Sequence, residues 1–146
     1  MFKHFLIPTD GSAIATKAAA AGIALAQRLG ARVTVVYVIE KLQPVYVEGY
    51  VFSRGQLDIF EERARASGQK CLDAIGKAAR TAGVPFTTLV ASANSSYEGI
   101  IAAAKKRKCD AIFMSSRGRR GLSRLIMGSV TQKVLSHAKI PVIVYQ

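Results

Sequence analysis

The sequence predicts an α/β fold, a doubly wound parallel sheet with helices on both faces, and three observations carry that reading. Five short runs rich in β-branched and aromatic residues alternate with four stretches of helical periodicity, the pattern of strands joined by crossover helices. Gly, Pro, Asp or Ser marks nearly every junction. Half of the 146 residues are hydrophobic, enough for one domain, spanning 1–146, to build a core without disulfides or metals.

Phe5 to Pro8 is an apolar run ending in the turn-rich tetrad Thr9-Asp10-Gly11-Ser12, so a buried strand leads into a helix start. From Ser12 to Leu29, residues Ile14, Ala18, Gly22, Leu25 and Leu29 recur at helical spacing, and Gly30 stops the helix. Arg32 to Ile39 (RVTVVYVI) is a second strand, apolar on both faces. Lys41 to Arg54 holds Pro44, Gly49 and three aromatics without a clear period. It reads as an excursion or mobile lid, with a short extra strand as the alternative.

A long helix from about Gln56 to Ala82 turns Leu57, Phe60, Ala64, Cys71, Ile75, Ala79 and Ala82 toward the core and ends at Gly83-Val84-Pro85. Phe86 to Ala91 is the third strand. Ser95 and Glu98 have the spacing of a capping box, which opens a helix through Ile100, Ile101 and Ala104. Ala111 to Met114 is the fourth strand. Ser129 to Gln132 repeats the capping pattern and starts a helix to about His137, after which Pro141 leads into the fifth strand, Val142 to Tyr145.

For five strands in the order 3-2-1-4-5, the order reverses between the first and fourth, and a ligand is expected beyond the carboxyl ends of the strands at that point. The loops there are Pro8 to Ser12 and Met114 to Ser129, the second reading SSRGRRGLSRLIMGS from Ser115. Glycines admit close backbone approach, a helix start offers free N–H groups, and arginines complement oxyanions. Together these read as a phosphate cradle; the plainer alternative is a solvated basic loop closed by a helix cap.

The chain carries 21 basic and 9 acidic residues, a net charge of +12, and residues 101–146 hold ten of the basic ones against Asp110 alone. Such a field attracts anions without choosing among them. Nucleic acid is not expected as the partner: no recognised motif is present, and Phe113 and Tyr145, the aromatics of that segment, fall on strands. Lys105 to Lys108 reads as a solvated helix end. Cys71 and Cys109 are far apart and read as structural thiols, and neither His4 nor His137 has companions suited to metal binding or base catalysis.

The sequence has no GxxxxGK(S/T) loop, no GxSxG elbow and no paired carboxylates beside a base, so a regulatory rather than catalytic protein is expected, at most a weak ATPase. It has no apolar run of the roughly 20 residues needed to span a bilayer and no signal-peptide pattern at its start. A cytoplasmic protein without a membrane partner is expected.

The opening LIPTDGS, the strand VVYVIE, the stretch DAIFMSSRGRRGLSRLIMGSV and the ending KIPVIVY resemble the universal stress protein family along essentially the whole chain. In nucleotide-binding members, glycine, two residues, glycine and nine residues precede a glycine followed by Ser or Thr. That pattern falls on Ser115, Gly118, Gly128 and Ser129, with serine in place of the first glycine. The resemblance implies an adenine nucleotide, ATP or AMP, as ligand of a stress-response or signalling module. The loop Pro8-Thr9-Asp10 would border base and ribose, and Val38 would contact the adenine. Met114, Ser115, Gly118, Gly128, Ser129 and Val130 would line ribose and phosphates, with Arg117, Arg119 and Arg120 adding charge-assisted contacts. Asp10 is the candidate for Mg2+ held through the nucleotide, or else a turn and helix-cap aspartate. If position 115 requires a glycine conformation, its Cβ costs on the order of 1 kcal/mol and crowds the ribose. That motivates the alternative of a non-nucleotide, dimeric interaction protein of the same fold.

The apolar final strand, Val142, Ile143 and Val144, would lie at a sheet edge whose unpaired backbone groups invite another strand. The resemblance implies a homodimer formed there; the alternative is that Lys41 to Arg54 covers the edge.

Overall fold

In the computed structural model, which describes residues 1–44, 46–47, 49–119 and 126–146, the elements follow in the order β1 (His4–Thr9), α1 (Ala13–Leu29), β2 (Arg32–Glu40), β3 (Tyr46–Val47), β4 (Tyr50–Val51), α2 (Arg54–Thr81), β5 (Phe86–Ala93), α3 (Ser96–Lys106), β6 (Ala111–Ser115), α4 (Ser129–His137) and β7 (Val142–Tyr145). Five of the strands form one parallel sheet ordered β5-β2-β1-β6-β7. Counted along the chain, this is the expected 3-2-1-4-5 order.

Side chains alternate across the sheet and feed two cores. Phe5 and Ile7 of β1, with Val33, Val35, Tyr37 and Ile39 of β2, pack against Ala18, Ala19, Ile23 and Ala26 of α1 and Leu72, Ile75 and Ala79 of α2. Leu6, Val36, Ile112 and Met114 face the opposite way, onto Ile100, Ala103 and Ala104 of α3 and Val134 of α4. Each fully buried Leu, Ile, Val or Phe contributes about 1.5–3 kcal/mol, so a strand buried on both faces is strongly specified.

The buried stripe of α1 is Ala15, Ala18, Ala19, Gly22, Ile23 and Ala26, while the expected Ile14, Leu25 and Leu29 flank it, half-buried. The helix lies so close to the sheet that a Cβ on Gly22 would stand 2.9 Å from both Ile7 and Phe113 side chains. Close approach therefore selects the small-residue face over the face with the larger side chains.

Lys41 to Arg54 contains a separate antiparallel hairpin, with Tyr46 opposite Val51 and Val47 opposite Tyr50. Phe52 meets Tyr50 and Phe60 edge-on, with centroids at 5.4 and 6.3 Å. Phe60, expected in the core, is 48% exposed and meets Phe52 instead of the sheet core. The capping box that forms is Ser53–Gln56: the Gln56 N–H donates to Ser53 Oγ at 3.3 Å and the Ser53 N–H to Gln56 Oε1 at 2.8 Å. Neither expected box forms. Ser95 Oγ donates to the Glu98 carboxylate at 2.8 Å rather than capping α3, and the N-cap of α4 is Gly128, with Ser129 already helical.

At the strand-start end of the sheet, His4 Nε2 and Thr34 Oγ1 lie 2.8 Å apart, and Thr34 Oγ1 and Thr87 Oγ1 2.9 Å apart. Burial, reinforced by the Arg32 guanidinium, lowers the His4 pKa from its ordinary 6.5. Burial, with Asp110 adding to it, raises the Cys109 thiol to about 11. No helix among the described residues is long and apolar enough to cross a membrane.

Candidate functional site

Beyond the carboxyl ends of β1 and β6, where the strand order reverses, the connecting loops part around a cavity of about 470 Å3. Every residue named from the sequence as a described ligand contact lines it. Pro8, Thr9 and Asp10 come from the end of β1, Val38 from β2, and Met114 and Ser115 from β6. Arg117, Gly118 and Arg119 follow in the next loop, and Gly128, Ser129 and Val130 open α4. Arg120 and Arg124 lie outside the described residues. Val36, Val38, Ile100 and Met114 form an apolar wall, and the loops supply the polar one.

Asp10 ties the two loops together. Its Oδ1 accepts the Ser12 N–H at 2.9 Å, an Asx turn that launches α1, and its Oδ2 accepts the Arg119 N–H at 2.8 Å. Gly118 has no positive φ; it is needed because its missing side chain leaves room for the Asp10 carboxylate, with Asp10 Cγ at 3.4 Å from where a Cβ would sit. Gly128 is held equally closely. Its N–H donates to the Ser116 carbonyl at 2.8 Å, and a Cβ would stand 3.0 Å from the Arg117 backbone.

Ser115 takes no positive φ, so the serine fits its backbone position without strain. Its hydroxyl donates to the Arg117 carbonyl at 2.7 Å, and its own carbonyl accepts the Thr131 hydroxyl at 3.0 Å. The side chain thus braces the loop from within. Because the α4 N-cap is a glycine with no side-chain bond, no side chain among the described residues caps the first-turn N–H groups of the helix, and Ser129, Val130 and Thr131 lie on the cavity wall. An anion placed there meets N–H donors and the positive end of a helix dipole.

Sequence reasoning missed the wall that β2, α3 and α4 add. Glu40, at the end of β2, accepts both the N–H and the hydroxyl of Ser96 through Oε1, at 2.9 and 2.8 Å, and with Ser95 and Tyr97 it lines the cavity. Lys133 reaches the cavity too, its Nζ 5.4 Å from the Tyr97 ring centroid. Lys133 lies one helical turn after Ser129, a signal the sequence contained. The Glu40–Ser96 bond carried none, since 56 residues separate the pair.

The sequence profile described as the universal stress protein family matches residues 1–146. A universal stress protein from Methanocaldococcus jannaschii is 32% identical over 144 residues, covering 99% of this chain and 82% of the relative. One from Thermus aquaticus is 33% identical over 143 residues, covering 98% of each. Among solved structures, the universal stress protein UspA from Lactobacillus plantarum superposes with a TM-score of 0.80 at 25% identity, covering 99% of this chain and 98% of that one. Two structures with ligands share the fold: a universal stress protein in complex with cAMP (TM-score 0.68, 16% identity, 99% and 97% covered) and one from Archaeoglobus fulgidus in complex with dAMP (0.67, 18%, 100% and 98%).

Proposed function

The chain belongs to the universal stress protein family, whose domains are generally non-catalytic regulatory modules, and from that premise we propose that it is a single-domain cytoplasmic module that binds an adenine nucleotide, ATP or AMP. The observation that carries the reading is the start of α4, capped by no described side chain, opening onto a cavity of about 470 Å3 beside two glycines whose Cβ positions are crowded by Asp10 and Arg117. Distant relatives hold cAMP and dAMP, ligands of the same chemical class. In this reading the phosphates meet the N–H groups of Ser129 and Val130 together with Arg117, and the base lies against Val38 and Met114. Asp10 keeps a lone pair on each oxygen after its two backbone bonds, which suits a nucleotide-bound Mg2+.

Titration calorimetry with ATP, ADP and AMP, with and without Mg2+, tests the reading. Saturable binding is expected, abolished by Gly128→Val; no binding of any of the three would leave the interaction-protein alternative standing. We further propose a homodimer through β7, an outermost strand of the sheet whose Val142, Ile143 and Val144 are half-buried. Light scattering at micromolar concentration should give twice the chain mass.

A further inference from the structure

The four helices among the described residues run antiparallel to the sheet strands they connect, so every one of their C-termini and every strand start of the five-stranded sheet shares the end of the molecule opposite the cavity. That end gathers cations from five distant segments. Lys3 and Arg32 are neighbours across β1 and β2, the Arg32 N–H donating to the Lys3 carbonyl at 3.0 Å. Arg28 and Arg80 occupy the last turns of α1 and α2, the run 105–108 closes α3, and Lys139 lies between α4 and β7. All but Arg107 are exposed.

The acidic residue at this end is Asp110, and its carboxylate is taken up by the Lys3 and His4 N–H groups at 2.7 and 3.1 Å. Of the other described acids, Asp10 and Glu40 lie on the cavity, Glu98 at the start of α3, and Asp58, Glu61 and Glu62 in the first half of α2, while Asp73 stands two turns before the end of α2 and accepts a hydrogen bond from Gln69 Nε2 at 2.8 Å. A helix C-terminus carries about half a negative charge, so four of them offset only about two cations. Among the described residues, the ion pair that forms is Arg54–Asp58, at the opposite end of α2. Most of the cations at this pole are therefore free to meet an anion.

We propose that this pole docks onto the phosphodiester backbone of double-stranded nucleic acid, independently of sequence. The five-stranded sheet is about 19 Å wide at ~4.8 Å per strand, matching a stretch of duplex that carries roughly eleven phosphates over both strands, about half of them on the near side. The cations stand on the ends of strands and helices, which presents them as a fixed array. The pole offers no exposed aromatic ring for stacking single-stranded bases: Phe2 packs against Phe5, and the Arg80 guanidinium covers Phe86 at 5.5 Å. Nor does it present an amphipathic helix face for insertion at a membrane interface, because its helices meet it end-on. The sequence argues against nucleic acid because it holds no recognised motif and places Phe113 and Tyr145 on strands, but sequence-independent phosphate contact needs neither a motif nor stacking.

The test is fluorescence anisotropy of the full chain with a labelled duplex of about 30 base pairs across about 20–200 mM KCl. Log affinity should fall linearly with log salt at a slope of about −4 to −5, equally for two unrelated sequences. The triple variant Lys105→Glu, Lys106→Glu, Lys108→Glu should flatten that slope by about 3 and weaken binding more than about tenfold. Lys17→Glu, Arg63→Glu, Lys70→Glu, an equal charge change away from the pole, should leave affinity within about twofold. Equal weakening by both triples would overturn the proposal, as would tighter binding of a single strand, or binding of phosphatidylserine vesicles without the duplex. Should the first triple fail to fold by circular dichroism, Lys105→Gln alone should flatten the slope by about 0.9, and an unchanged slope would overturn it equally.

Discussion

Replacing Gly118 by alanine tests the Asp10 tie directly, because the backbone at 118 has no positive φ and accepts alanine without strain. The added methyl collides with Asp10 Oδ2, so the carboxylate must turn away and release the Arg119 N–H it holds at 2.8 Å. A charge-assisted hydrogen bond contributes about 1.5–3 kcal/mol, and solvent access to this one places the loss at the low end, about 1.5 kcal/mol. In a chain of this length that lowers Tm by about 3–6 °C. If the free loop must close again around a nucleotide, affinity falls about tenfold. A double-mutant cycle isolates the cause. On an Asp10→Ala background the methyl has nothing to displace, and Gly118→Ala should cost less than about 0.5 kcal/mol. An unchanged cost on that background, measured by urea denaturation, would refute the reasoning.

Gly22→Val should destabilise the fold by about 1–3 kcal/mol, since its side chain must force α1 away from Ile7 and Phe113; a rise in urea midpoint would contradict the close packing. His4 is neutral in the fold, with its pKa lowered, so below about 6.5 the unfolded chain binds the extra proton. Its contribution is complete above that pH and is lost as pH falls toward the lowered value, with a slope of at most about 1.4 kcal/mol per pH unit, and His4→Gln should remove that slope just below about pH 6.5. Cys109, raised to about 11 and buried, should resist a disulfide reagent at pH 8 in the native protein, while half-exposed Cys71 reacts; both should react in denaturant. Two fast thiols in the native state would contradict this.

Much of the architecture was legible because strand and helix leave local marks. The alternation of β-branched runs with helical periods, and turn residues between them, placed the five sheet strands, and their order located the cavity before any coordinate did. What local pattern could not decide was which face of α1 goes inward. Ile14, Leu25 and Leu29 outweigh alanine in hydrophobicity, yet close approach of helix and sheet favoured the small side chains. The capping motifs failed for local reasons the pattern does not carry: the Ser95 hydroxyl donates to the Glu98 carboxylate instead of accepting a helix N–H, and α4 begins one residue early, with Gly128 as its N-cap.

The sequence by itself determined the fold class, the switch-point loops and the glycine spacing of Gly118 and Gly128, because these depend on residue type and near neighbours. Only the tertiary structure decided what those glycines are for and whether Ser115 could replace one. The reason is that Asp10 lies 109 residues from its partner Arg119 and Thr131 lies 16 from Ser115, so the chain had to fold before either contact existed. The gathering of Lys3, Arg28, Arg32, Arg80 and Lys139 onto one pole is likewise a product of topology, since parallel strands with antiparallel helices bring distant segment ends to a common face.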